Sequence, residues 1–195
     1  MNQPVVEFQR VSKSYVRGEQ EIPVLKDFSL SVPQGQFLAI MGPSGSGKST
    51  ILNLVAGLDR PTEGIIHAAG IAVSQQGETD LARWRARHIG FVFQFYNLIP
   101  VLTAAENVEL PLLLSKLTKR ERFKHVQAAL SLVRLSDRLH HYPRQLSGGQ
   151  EQRVGIARAI VSDPTILLAD EPTGNLDRSA AQAIMALLTR LHQEL

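Results

Sequence analysis

GPSGSGKST, residues 42–50, follows the short apolar run QFLAIM at 36–41 and leads into KSTILNLVAGL at 48–58, whose apolar residues recur at helical spacing. Residues 42–49 fit G-x-x-x-x-G-K-[ST] without a mismatch. At average residue usage, a chain of this size carries that pattern by chance on the order of once in a hundred times. The flanking texture, an apolar strand before and a helix after, is what the motif requires. Glycines leave backbone N–H groups free to converge on phosphate oxygens, and the helix N-terminus adds the positive end of its dipole. Lys48 can bridge the β- and γ-phosphates, and the Ser49 hydroxyl can hold Mg²⁺. A nucleoside triphosphate site built from Gly42, Pro43, Ser44, Gly45, Ser46, Gly47, Lys48, Ser49 and Thr50 is expected.

Working outward, PVVEFQRVSKSY (4–15) and VLKDFSLSV (24–32) alternate apolar and polar residues and read as half-exposed strands. QFLAIM reads as a buried strand ending at Gly42, and Gly57 is placed to cap the following helix. EGIIHAAGIAV (63–73) reads as a strand pair, and HIGFVFQF (88–95) as a further buried strand. From about Thr103 to Tyr142 the texture becomes helical, with TAAENVELPLLL and KRERFKHVQAALSLVRLSDRL at 3.6-residue periodicity. SGGQEQRVGIARAIVS opens another helix, TILLAD (165–170) is a buried strand, and RSAAQAIMALLTRLHQEL (178–195) is a terminal helix. Strands alternating with helices predict an α/β fold with a mostly parallel sheet covered on both faces, carrying an inserted helical lobe.

Two acids arrive where TILLAD ends, at the sheet edge where open parallel sheets place their ligands. Neighbouring strand residues point to opposite sides, so Asp170 and Glu171 are expected to hold different jobs. Asp170 suits the Mg²⁺ shell through water, and Glu171 suits the general base that polarises an attacking water. A second glycine-opened helix start lies in QLSGGQEQR (145–153). Ser147-x-x-Gln150 fits a helix capping box, and the bare glycines behind it make an anion site. With no lysine and no preceding apolar strand, it cannot be a second phosphate loop; it reads as a part that completes another site.

Composition narrows the classes further. Apolar residues make up 44% and charged ones 20%, the balance of a globular chain that buries a core. The formal charge of +3 is spread thinly, so no nucleic-acid partner is expected; Lys119, Arg120, Arg122 and Lys124 read as a solvated helix face. The sequence has no cysteine, which excludes disulfides and thiolate metal sites and fits a reducing cytoplasm. The opening MNQPVVEFQR lacks a signal-peptide build. The longest apolar stretch, NLIPVLTAAENVELPLLL (97–114), is broken by Glu106, Glu109 and two prolines, so no transmembrane span is expected.

LSGGQ at 146–150, between a phosphate loop and ILLADE, resembles the signature sequence of the ATP-binding-cassette (ABC) ATPases, and the resemblance covers essentially the whole chain. It implies a P-loop NTPase core at 1–94 and 151–195 that includes an N-terminal antiparallel β subdomain. Residues 95–150 would then form the inserted α-helical subdomain, ending in the signature. In that family two cassettes stack head-to-tail around two ATPs, and the signature of one subunit touches the γ-phosphate held by the other. The second glycine opening, Ser147, Gly148, Gly149 and Gln150, would thus serve the neighbour's nucleotide. Tyr15, in SKSY, resembles the aromatic that stacks on adenine, and Gln94 resembles the glutamine that touches Mg²⁺ and reports to the membrane partner. Asp177, in GNLD, resembles the aspartate of the loop that crosses the dimer interface.

GFVFQFYNLIPVLTAAENV (90–108) and EPTGNLD (171–177) are similar to the subgroup serving macrolide exporters and lipoprotein-releasing complexes. The resemblance implies an ATPase that binds ATP and Mg²⁺, dimerises, and drives separate integral membrane permease subunits from the cytoplasmic face. The cargo is not implied, because nothing in this chain lines a cargo pocket. An alternative is a cassette that transmits force to a periplasmic partner without moving cargo. The family's switch histidine follows a further strand beyond the last helix. His192 lies inside LLTRLHQEL and does not match it, so the sequence reads as a C-terminally shortened cassette, expected to hydrolyse ATP much more slowly than one carrying that region.

Overall fold

The computed structural model describes residues 4–194. The chain divides into two compact units at Arg85–Ala86.

The first unit is built on a four-stranded antiparallel sheet of order β2-β1-β3-β4, with β1 at Val6–Arg17, β2 at Gln20–Val32, β3 at Glu63–Ala68 and β4 at Ile71–Ala72. The alternation of β1 is interrupted once. Val6 and Phe8 point into the core, Arg10 adopts a left-handed φ of 47°, and the inward positions then become Val11 and Lys13. The register to β2 slips between Phe8 and Val11, as a bulge requires. That one-residue insertion is why a lysine, not a serine, ends up buried. Phe8 and Phe28 pack edge-to-face, with ring centroids 5.4 Å apart.

Helix α1 (Lys48–Val55) packs on β3 through Ile51, Leu54 and Val55. It ends at Ala56, and Gly57 follows in the left-handed conformation at φ 61°, the stop expected there. Helix α2 (Glu78–His88), which the periodicity of the sequence did not reveal, buries Leu81 and Trp84. Its signal was an i, i+3 apolar pair behind acidic Glu78 and Asp80, in a helix whose other residues are almost all polar.

The expected buried strand at 36–41 is not among the strands of the described residues, and Phe37, Leu38 and Met41 are 47%, 44% and 89% exposed. A strand exists through its ladder rather than through its composition.

In the second unit the parallel sheet consists of two strands, β5 (Ile89–Val92) and β6 (Ile166–Ala169), paired Ile89 with Ile166 through Val92 with Ala169. Both are shorter than expected, and Leu167 is exposed on the face away from the core. Helix α5 (Gly148–Ile160) packs on β5, and α3 (Ala104–Glu109), α4 (Lys119–Leu132) and α6 (Arg178–Glu194) pack on α5. The core runs through Val92, Val108, Leu130, Val154, Ile156 and Ile184.

Thr103 with Glu106 and Thr118 with Glu121 close capping boxes on α3 and α4. Buried Asn107 fixes the approach to α3: its Nδ2 donates to the carbonyls of Ile99, Leu102 and Thr103, and its Oδ1 accepts from Ile99 N at 2.7 Å. The apolar periodicity of 119–139 outlasts its helix. The chain leaves α4 at Val133, and Arg134 turns it at φ 59° so that Leu135 still reaches the core. The last expected helical residue, Leu195, lies outside the described residues. Among the described residues, no helix is long and apolar enough to cross a membrane.

Candidate functional site

The candidate residues fall into two groups, one in each unit. In the first, Gly47 supplies the turn into α1 at φ 90°, where a Cβ would lie 2.9 Å from Val24 Cγ1. No side chain caps the helix there, so the first-turn N–H groups keep the anion-binding character expected of a phosphate loop. Gly42 is bare because Ser46 Oγ would stand 2.8 Å from its Cβ. Lys48 Nζ donates to the carbonyls of Gly42 at 3.0 Å and Pro43 at 2.8 Å, which holds the ammonium across the opening of the loop it serves.

Tyr15 lies in the same unit and is drawn into a small polar cluster. Its hydroxyl donates to Asp59 Oδ2 at 2.7 Å and stands 3.4 Å from Thr50 Oγ1. Lys13 Nζ donates to Asp59 Oδ1 at 2.6 Å and to the Arg60 carbonyl at 2.7 Å, and it lies 4.6 Å from the centre of the Tyr15 ring. Burial pushes the Asp59 carboxyl up, but the Lys13 ammonium, the Tyr15 hydroxyl and the Arg60 N–H together hold it below the usual aspartate value. Burial, with the Asp59 contact, raises the Tyr15 phenol. Tyr15 is therefore oriented, its hydroxyl held by Asp59 beyond α1 and close to Thr50 in the first turn of α1. Lys13 and Asp59 were not legible in the sequence, because a buried lysine in a strand follows no periodicity.

The cluster alters one expectation. Stacking needs only a ring, so Tyr15→Phe would leave nucleotide binding untouched; here the hydroxyl also anchors the ring. Tyr15→Ala is expected to weaken ATP binding by roughly 1–2 kcal/mol. Tyr15→Phe should lose a smaller amount, about 0.5–1 kcal/mol, through the missing bond to Asp59. Titration of a fluorescent ATP analogue against both variants checks the order; equal losses would mean that the hydroxyl, not the ring, is what matters.

The second unit gathers the rest. Ser147 caps α5 with both halves of the expected box: Gln150 N donates to Ser147 Oγ at 3.4 Å, and Ser147 N donates to Gln150 Oε1 at 2.9 Å. Gly148 is bare for a local reason, since its Cβ would stand 3.0 Å from the Tyr96 hydroxyl. Gly149 faces Ala180 at 3.4 Å by the same measure. Arg158 reaches from α5 to donate to the carbonyls of Tyr96 at 2.7 Å and Asn97 at 2.6 Å, holding two successive left-handed residues of φ 56° and 49°. Burial raises the Tyr96 phenol, and the Glu151 charge adds to it; burial likewise raises Glu151.

The two acids both lie past the end of β6. Asp170 N donates to the Val92 carbonyl at 3.0 Å, extending the β5–β6 ladder by one bond. Glu171 then turns the chain at φ 43°. The two are thus separated by a left-handed turn past the strand end, not by the strand alternation expected of them. A non-glycine residue in that conformation costs about 1–2 kcal/mol. Such strain is concentrated where a side chain must be aimed.

Gln94 and Glu171 come together at Gly174. A Cβ there would lie 2.9 Å from Gln94 Nε2 and 3.4 Å from Glu171 Oε2, and Gly174 N donates to the Glu171 carbonyl at 3.0 Å. Asn175 Nδ2 donates to the Gln94 carbonyl at 3.0 Å. Asp177 Oδ1 accepts from Ala180 N at 2.9 Å and so caps α6.

Comparison with known proteins identifies the family. The family model described as ABC transporter matches residues 25–174. An uncharacterized ABC transporter ATP-binding protein of Thermotoga maritima is 51% identical over 189 residues, covering 97% of this chain and 81% of that protein. A macrolide export ATP-binding/permease protein of Rhodopirellula baltica is 46% identical over 192 residues, covering 97% of this chain but 28% of that longer protein. An ATP-binding cassette of Methanocaldococcus jannaschii, solved as a dimer in a post-hydrolysis state with ADP and phosphate, superposes at a TM-score of 0.87 with 46% identity, covering 97% of this chain and 83% of that one. The chain belongs to the ABC transporter family, as one of its ATP-binding cassettes.

Proposed function

We propose that this chain is the ATP-binding and ATP-hydrolysing subunit of an ABC transporter, that it dimerises around two MgATP, and that it drives separate membrane subunits of the macrolide-exporter or lipoprotein-release type. The carrying observation is the serine-capped, glycine-opened and lysine-free start of α5, in a chain that already has a complete lysine-bearing phosphate loop. One chain has no use for a second anion site without a cation, whereas a head-to-tail pair does. In this reading residues 42–50 hold the phosphates, Tyr15 stacks on the base, and Glu171 polarises the attacking water. Ser49, Asp170 and Gln94 serve Mg²⁺, a hard cation that takes oxygen ligands and keeps some of its waters, which suits a hydroxyl, a carboxylate and an amide oxygen. Ser147, Gly148, Gly149 and Gln150 reach the partner's γ-phosphate, and Asp177 lies at the dimer interface. Residues 95–150 act as the helical subdomain of the core formed by 1–94 and 151–195. In the same reading Gln94 reports to the membrane partner, and the chain sits peripherally on the cytoplasmic face of the membrane through that partner.

The test uses Ser147→Arg, expected to stop hydrolysis while leaving ATP binding by the single chain intact. Mixed with Lys48→Ala subunits, it places both lesions in one composite site and leaves the other whole. Measurable turnover should return from two inactive parents. Loss of ATP binding by the Ser147→Arg chain alone would show that this glycine opening serves its own subunit.

A further inference from the structure

Gln152 lies in the first turns of α5, two residues beyond the glycine signature, and is fully buried at 0% exposure. Its Nε2 donates to the Pro172 carbonyl at 2.6 Å and approaches the Phe93 carbonyl at 3.5 Å. Pro172 directly follows Glu171, and Phe93 directly precedes Gln94. One amide from the signature helix therefore grips the backbone beside both side chains that meet at Gly174. Its Oε1 is buried with no hydrogen-bond partner. A buried unpaired acceptor is destabilising. Packing alone would be better served by an apolar side chain of the same shape, so the Nε2 donation is what this position supplies.

We propose that Gln152 is a positioning residue for hydrolysis: through Pro172 and Phe93 it holds the strained turn at Glu171 in register with Gln94, and so ties the aim of the water-activating carboxylate to the position of the same chain's signature helix. The turn needs such a hold, because the left-handed Glu171 has no glycine freedom and would relax toward an ordinary conformation if the following carbonyl were released. The consequence is directional. A shift of α5 as the signature engages the partner's nucleotide is passed, through one short hydrogen bond, to the carboxylate of its own subunit. The inference rests on Glu171 as the general base.

The test is Gln152→Met, which keeps length and volume, deletes the donor and also removes the unpaired acceptor. Melting temperature should hold or rise, affinity for a fluorescent ATP analogue should be unchanged, and kcat should fall on the order of ten- to hundredfold, the loss expected when a reacting group is misplaced by a fraction of an ångström to an ångström. KM should stay close to wild type, and ATP-bound dimers should accumulate in sedimentation, since only the chemical step is slowed. Gln152→Glu supplies a second reading, because only its protonated carboxyl can donate to Pro172 O: its kcat relative to wild type should recover as pH falls. Wild-type kcat in Gln152→Met overturns the proposal, as does a loss of kcat that comes only with lower stability or weaker ATP binding, or a Gln152→Glu deficit that ignores pH. Glu171→Gln, run alongside, separates the two readings. If Glu171→Gln is inactive and Gln152→Met is normal, the positioning inference alone fails; if Glu171→Gln keeps wild-type turnover, the general-base reading fails and takes this inference with it.

Discussion

Lys48→Ala is expected to raise the dissociation constant for ATP by at least about a hundredfold, a loss on the order of 3 kcal/mol, as fits the removal of a charge-assisted contact to the phosphates. Lys48 is the one lysine inside the phosphate loop, and its ammonium already sits on the Gly42 and Pro43 carbonyls at the loop opening. Alanine leaves those carbonyl dipoles facing the incoming phosphate with nothing to offset them, so the loss should exceed that of one hydrogen bond between neutral groups. Helix α1 buries Ile51, Leu54 and Val55 independently of Lys48, so the fold should survive the change. Titration of a fluorescent ATP analogue, with thermal unfolding as the control for folding, reads the effect directly. Equal affinities for wild type and variant would remove the phosphate loop from the function.

Glu171→Gln should bind ATP as wild type does and lose turnover by on the order of a hundred- to ten-thousandfold, the span a positioned general base contributes. Glutamine keeps the size of the side chain at the left-handed turn, so the geometry beside Gly174 and Gln94 should be retained and only the basicity removed. ATP-bound dimers should then accumulate, because the step that dissolves them is blocked. Sedimentation with and without MgATP shows the shift, and phosphate release measures the rate. Retained turnover would assign the base elsewhere.

Both predictions come from residues that the sequence alone exposes, and for the same physical reason. Phosphate binding by backbone N–H groups demands glycines at set offsets, with a lysine and a hydroxyl directly after them. All of that chemistry lies within nine consecutive residues, so a linear reading captures it. The capping box at Ser147 is equally local, since Ser147 and Gln150 are three residues apart and answer to each other. The two glycine openings, the acids at the end of β6, the helical character of 103–142 and the helix opened by SGGQ were legible because each depends on neighbours in sequence.

Three features were settled only in three dimensions. The apolar run at 36–41 has the composition of a buried strand and is not one, because strand formation depends on a partner that composition does not name. The bulge at Arg10 reversed the inward parity of β1 and buried Lys13, which created the Lys13–Asp59–Tyr15 cluster from residues up to 46 positions apart. The meeting of Gln94 with Glu171 at Gly174 joins two distant segments, and Gln152 reaches to backbone 59 and 20 positions away along the chain. Local pattern determined the phosphate chemistry and the helix starts, since those need only short-range geometry. Which carboxylate is aimed, by what turn and held by which amide depended on long-range packing, because a left-handed glutamate persists only where the surrounding fold holds it.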